Sequence, residues 1–295
     1  AVGGAPSKLE RVAALVRRGG ECQIIVVIVA AAHDVGAYCA ANAIRIGVFI
    51  EIDCDGHRAG VRPDDRETLL AIARALGPQA ELRGVMTHGG GSYGAAGKGE
   101  RRIMAEREAA SVAEAAGGLR KAGFATPVVS VGSTPTALAC GDRPGVTEMR
   151  AGVFPFFDLV MAGLGVCTIE EIALSVLTSV IGHQRDKGWI LCDAGWMALS
   201  RDRGTQDQTI DCGYGLVCDA QGRIVPDLMV SATNQEHGII SVREGSEAAL
   251  PDLPVGTQLR ILPNHACATA AQHAGYNIAS RPGDTVRWVE RFSGW

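Results

Sequence analysis

Apolar positions in the first half of the chain switch between two periods. Leu9, Val12, Ala13 and Val16 recur at helical spacing; Ser7 with Glu10 three residues later forms a capping box before them, and Gly19-Gly20 ends the run. Residues 24–29 are continuously apolar and β-branched, the pattern of a strand buried on both faces. The alanine-rich stretch 30–43 reads as a helix, and 48–52 as a second strand running into Asp53-Cys54-Asp55-Gly56. Asp64 and Glu67 cap a further helix whose apolar face is Leu69, Ile72, Ala73 and Leu76. A third strand is expected at 82–87, a long helix at 100–122, a fourth strand at 128–131, a short helix around 136–139 and a fifth strand at 146–150.

Strict alternation of strand and helix marks a parallel sheet or barrel. The first element is a helix with no strand in front of it. Measured against a (β/α)8 barrel at about 30 residues per unit, five strands leave three to be supplied by roughly 80–90 residues upstream of Ala1. From about Ile172 the texture changes to short β-rich runs separated by turn residues: 173–182, 189–194, 214–218, 228–232, 238–242, 258–262 and 286–291. The expected fold is therefore α/β: a (β/α)8 TIM-type barrel, N-terminally incomplete, over residues 1–170, followed by a mostly antiparallel β domain over 171–295.

Composition narrows the function. A chain of 295 residues with 47% hydrophobic and 20% charged residues builds a large core. A net charge of −4 gives no electrostatic footprint for nucleic acid. Nine scattered cysteines, an odd number, point to a reducing cytoplasm. The apolar stretch 23–32 is too short to span a bilayer, and no signal peptide is present. The chain starts at Ala1 rather than Met and runs almost at once into a helix, which reads as a cut.

Candidate chemistry sits where barrel strands end. Val131-Gly132-Ser133-Thr134-Pro135-Thr136 follows the fourth strand, and Arg150-Ala151-Gly152-Val153 follows the fifth. Glycine permits close backbone approach, and hydroxyls with free N–H groups suit a phosphate; taken alone, the first stretch also reads as a turn with a Ser/Thr helix cap. In His88-Gly89-Gly90-Gly91-Ser92-Tyr93 glycines bracket two polar rings, a ligand loop or a flexible surface loop. Arg58 reaches either a cofactor ring or Asp53 and Asp55 beside it. His265-Ala266-Cys267 closes a strand of the second domain. On an extended segment the imidazole and thiolate point the same way and suit one cation, Zn²⁺ best; a buried cysteine beside an ordinary histidine is the alternative. Residues 200–204 and 234–237 are polar clusters between strands, cleft linings or solvated loops. A barrel enzyme that holds pyridoxal phosphate needs a lysine on a strand end. Lys8, Lys98, Lys121 and Lys187 all fall in helix-like or loop-like surroundings.

In combination these segments resemble the metal-activated, fold-type III pyridoxal-phosphate enzymes, which include D-threonine aldolases, D-serine dehydratases and 3-hydroxyaspartate dehydratases, most closely the last. The matching pieces are Glu51-Ile52-Asp53, His57-Arg58-Ala59-Gly60-Val61, Thr87-His88, Ser92-Tyr93, 129–137, 148–158, Asp193-Ala194-Gly195, Ser200-Arg201-Asp202, Gln235-Glu236-His237-Gly238, 262–267 and a tryptophan-bearing end at 286–295. The resemblance implies an alanine-racemase type barrel with Ser133, Thr134, Gly152 and Val153 on the phosphate. Arg58 and Tyr93 would line the pyridine ring, with His88 and Tyr93 as the catalytic candidates in the chain. A divalent metal, zinc by this reading, would sit on His265 and Cys267 and take the substrate's β-hydroxyl. Because aldolases of the family carry His-x-Asp and dehydratases His-x-Cys, Cys267 points to dehydration of β-hydroxy D-amino acids, with retro-aldol cleavage as the alternative. The same likeness implies a homodimer and places the Schiff-base lysine upstream of Ala1. A non-catalytic or fragmentary barrel without that lysine is the remaining reading.

Overall fold

The structure is a computed structural model that describes residues 2–139, 141, 143–279 and 285–292. It divides into two compact units, Ala1–Gly152 and Val153–Trp295.

The first unit is a six-stranded parallel sheet in sequential order: β1 (Val2–Gly3), β2 (Gln23–Val26), β3 (Gly47–Ile52), β4 (Glu81–Thr87), β5 (Val128–Val131) and β6 (Glu148–Met149). Helices α1 (Pro6–Arg17), α2 (Val29–Ala41), α3 (Arg66–Ala75) and α4 (Lys98–Lys121) connect the first five strands, and the short α5 (Thr134–Leu138) follows β5. A strand does precede the first helix: Val2 and Gly3 pair in parallel with Ile24 and Ile25. Two residues are too short to show a period, so the strand count behind the expected deficit is one short. The first helix has no capping box either. Its N-cap is Ala5, with Pro6 supplying the fixed φ of the first turn. Asp65, not Asp64, caps α3 by accepting the Thr68 N–H at 3.0 Å.

Each strand shows one face to the helices and the other inward. Ile50, Ile52, Val85, Val129 and Val131 join Leu69, Ile72, Val112 and Leu119 in one core. The inward row follows from the register: Glu51 pairs with Met86, Met86 with Ser130, and Ser130 with Glu148. The strand expected through 29 stops at Val26, and its burial alternates rather than running continuously. Ile28 and Val29 are exposed and start α2.

The second unit begins with α6 (Leu159–Gly163) and then closes a six-stranded antiparallel barrel in the order β10-β11-β8-β7-β12-β9. Its strands are β7 (Val176–Gln184), β8 (Trp189–Cys192), β9 (Gly215–Asp219), β10 (Ile224–Thr233), β11 (Gly238–Val242) and β12 (Gln258–Pro263), with α7 (Trp196–Leu199) after β8 and α8 (Ala266–Ala270) after β12. Alternate side chains such as Val176 and Val180 point into the barrel, where Ile190, Val217, Val230, Ile240 and Ile261 meet them. Residues 234–237 form the turn between β10 and β11, closed by the Asn234 N–H on His237 O at 2.8 Å. Gly195 packs against this turn so closely that a Cβ there would overlap Asn234 O and Gln235 O. A hairpin of β13 (Gly275–Ile278) and β14 (Arg287–Glu290) follows. Of the tryptophan-bearing end, Trp288 lies in β14, while residues 293–295 fall outside the described residues.

Candidate functional site

Three loops at the carboxyl ends of β3, β4 and β5 build the site of the first unit. The β3 loop is held by its own aspartates. Asp53 Oδ1 accepts the Gly56 N–H at 2.7 Å, and Asp55 Oδ1 accepts the His57 N–H at 3.1 Å. Asp55 Oδ2 accepts the Gly91 N–H at 2.8 Å and so joins this loop to the next. Neither carboxylate is paired with Arg58, which is exposed and brings its Nε toward Gly90.

In the β4 loop the rings of His88 and Tyr93 stack with centroids 6.2 Å apart and planes 20° apart. His88 Nε2 is buried without a hydrogen-bond partner. Burial first, and the positive charges of Arg58 and Arg150 second, push the imidazole down to about 4, so it is neutral at neutral pH. In the β5 loop Ser133, Thr134 and Thr136 are all buried. Ser133 Oγ accepts the Thr136 N–H at 3.2 Å and lies 2.8 Å from Thr136 Oγ1 and 3.0 Å from Ser92 Oγ. Ser133 is thus a helix cap and part of a hydroxyl cluster at once. Gly132 is required by close approach, since a Cβ there would overlap Arg150 O. Gly152 is exposed at the end of this unit, and the buried Val153 opens the next.

Beneath the loops runs a charged row absent from the sequence reading. Arg150 donates through Nε to Ser130 Oγ at 2.8 Å and through Nη2 to Thr87 O, and Ser130 Oγ donates to Glu148. Burial raises the Glu51 carboxyl, with Arg58 and Arg150 acting against that rise. Burial likewise lowers Arg150, opposed by Glu148, Glu108 and Glu51. Period-two alternation on β3 and β5 was the available signal, hidden by the apolar residues around it.

All four lysines are accounted for. Lys8 lies in α1, Lys98 and Lys121 at the two ends of α4, and Lys187 over the Trp189 ring at 4.8 Å. None stands at the carboxyl end of a parallel strand.

The second unit has its own candidates. The expected extended His265–Cys267 segment is corrected: β12 stops at Pro263, His265 is the extended N-cap residue (φ −134°, ψ 112°), and Cys267 is already in α8. His265 Nδ1 lies 2.6 Å from Asp202 Oδ2. Cys267 first and Asp202 next hold the imidazole up, to about 9 against its burial. A carboxylate on Nδ1 fixes the ring and leaves Nε2 for a ligand. Asp158, fully buried, accepts the Met161 N–H through Oδ1 and the Ala266 N–H through Oδ2, both at 2.8 Å. The residue between His265 and Cys267 is therefore tied down. Asn264 adds bonds to Thr205 Oγ1 at 2.7 Å and Gly213 O at 2.8 Å. Among the described residues no group of three His, Cys, Asp or Glu side chains is arranged to hold a metal. An imidazole oriented by a carboxylate beside a thiol nevertheless fits a borderline-soft divalent cation with open positions. In the first unit the orphaned imidazole nitrogen, the stacked phenol and the hydroxyl cluster fit a flat polar ring and a phosphate, whereas no lysine fits the covalent link.

Residues 2–159 match the family described as alanine racemase, N-terminal domain, and residues 173–279 the putative serine dehydratase domain. The chain is 52% identical over its whole length to D-threo-3-hydroxyaspartate dehydratase of Delftia sp., covering 78% of that protein. The solved structure of that enzyme matches with a TM-score of 0.95 over 100% of this chain and 78% of its own. Two variants of a D-threo-3-hydroxyaspartate dehydratase match as well, one with histidine and one with cysteine changed to alanine two positions apart, the latter in a metal-free form. D-threonine aldolase from Filomicrobium marinum is 25% identical, with a TM-score of 0.76 over 96% of this chain and 73% of that one. The chain belongs to the D-threo-3-hydroxyaspartate dehydratase family, an alanine-racemase type N-terminal domain followed by a serine dehydratase domain.

Proposed function

We propose that this chain belongs to a pyridoxal-phosphate and divalent-metal dependent lyase that dehydrates β-hydroxy D-amino acids, 3-hydroxy-D-aspartate foremost and D-serine as a smaller analogue. The observation that carries the reading is the His265–Cys267 pair. The thiol is the largest influence on the imidazole, and Asp202 Oδ2, 2.6 Å from Nδ1, fixes the ring. The histidine and cysteine changed in the dehydratase variants have the same spacing. A thiolate in this position favours dehydration over the aldol cleavage that the aldolase likeness would suggest.

When bound, pyridoxal phosphate supplies an electron sink for the α-carbon and the metal a Lewis acid for the β-hydroxyl. The chain's own residues do the rest. Ser133, Thr134, Gly152 and Val153 hold the phosphate. Arg58 and Tyr93 flank the pyridine ring and the substrate, and neutral His88 offers Nε2 as a hydrogen-bonding atom. His265 and Cys267 hold the metal, which we take to be zinc from its nitrogen–sulfur ligand pair. The barrel domain is taken as 1–170 and the β domain as 171–295. Nine scattered cysteines, an odd number, support a reducing, cytoplasmic setting, and no helix among the described residues is long and apolar enough to cross a membrane. A homodimer is proposed on the family resemblance.

Calorimetric titration with Zn²⁺ tests the metal assignment. One equivalent is expected to bind, with His265→Ala and Cys267→Ala each weakening it by about 100-fold or more while pyridoxal-phosphate binding is kept. Zinc binding that survives both substitutions would contradict it.

A further inference from the structure

Glu108 sits in the middle of α4 and is 1% exposed. Its neighbours on that helix face, Ala105, Ala109 and Val112, are apolar, and an ionised carboxyl among them is costly unless it is satisfied. The satisfaction is unusual. Oε1 accepts the Gly89 N–H at 2.8 Å and the Gly132 N–H at 3.1 Å, while Oε2 is buried and accepts no hydrogen bond. Gly89 follows His88, and Gly132 precedes Ser133. One oxygen thus ties the loop after β4 to the loop after β5 immediately beside the orphaned imidazole and the hydroxyl cluster. Gly89 eases the approach, because a Cβ there would stand in tight contact with Oε1, at 3.2 Å. The positive charge of Arg150 acts on the same carboxylate. The two bonds occupy both amides, so neither is offered to a ligand held by the loops.

We propose that Glu108 is a positioning residue for the cofactor pocket: it sets the separation of the His88 and Ser133 loops so that the ring and the phosphate of one phosphorylated pyridine are seated together. The proposal rests on the functional reading above. Glu108 touches neither cofactor nor substrate and acts through two backbone amides. A residue of this kind matters most for a ligand that spans both loops. Fragments that engage one loop each should hardly notice it, because only the linked ligand depends on the spacing.

The test uses the whole chain and three probes: pyridoxal 5'-phosphate, pyridoxal without the phosphate, and inorganic phosphate. Amide hydrogen exchange at Gly89 and Gly132 is followed alongside. In Glu108→Ala both amides are expected to exchange at least about tenfold faster, and the affinity for pyridoxal phosphate to fall about tenfold or more, with the two fragments changed less than about threefold. Glu108→Gln, which keeps one carbonyl acceptor at the same reach, should recover most of both. If Glu108→Ala does not fold, Glu108→Leu takes its place, since it keeps the apolar bulk of the side chain and removes both oxygens. Unchanged pyridoxal-phosphate affinity, or an equal loss for all three probes, overturns the proposal while the functional reading stands. A wild-type chain that binds none of the three overturns the functional reading and this proposal with it.

Discussion

His88 carries the most distinct pH signature at the scale of single residues. Its folded value of about 4 lies below the ordinary histidine value of 6.5, so the unfolded chain binds more protons between the two. The contribution to stability is therefore complete above about pH 6.5, falls as the pH drops through that window, and is gone below about 4. A loss of at most about 3.4 kcal/mol across the window is expected, reduced by solvent screening of this half-buried ring, measured by denaturant unfolding at stepped pH, and His88→Gln should flatten the slope. An unchanged slope in that variant would show that another group titrates. The residue types around this site were legible in the sequence because glycines and hydroxyls clustered at strand ends. Their partners were not. Asp202 appeared as one member of a polar loop, and nothing local distinguishes Glu108 from other helical glutamates. Both owe their role to bonds across long stretches of chain: Asp202 to His265, and Glu108 to Gly89 and Gly132.

At the scale of elements, the helices and central strands follow directly from periodicity, because burial on one face imposes it. Residues 128–131 and 238–242 form strands as expected, and most other boundaries shift by a few residues. The larger departures have local causes. Ile28 and Val29 extend an apolar run but lie at a helix start, where exposure rather than strand pairing is their fate. Likewise, the bend that places Cys267 in α8 depends on Asp158, which caps α6 and also holds Ala266. Removing it leaves two N–H groups without their acceptor. Asp158→Ala is expected to cost about 1–3 kcal/mol and to weaken Zn²⁺ binding, whereas a surface change such as Asp252→Ala should do neither. Thermal unfolding and metal titration on the same samples check both parts. Full metal affinity in Asp158→Ala would show that the turn is fixed without it.

The whole molecule combines two sheet types with different demands. The parallel sheet needs helices over one face and gathers its loops at the carboxyl ends of its strands; the antiparallel barrel closes on its own side chains. Both architectures were readable from the change in texture near residue 172, since alternation of strand and helix differs visibly from short strands with turns. The two-residue β1 and the hairpin strand β13 were not, being too short or too polar to show a period. The proposed function calls on a cofactor chemistry and a metal chemistry together. Product analysis decides it. The protein that carries this chain, supplied with pyridoxal phosphate and Zn²⁺ and given 3-hydroxy-D-aspartate, is predicted to release ammonia and a 2-oxo acid in equal amounts with no glycine. Glycine together with an aldehyde would contradict the account.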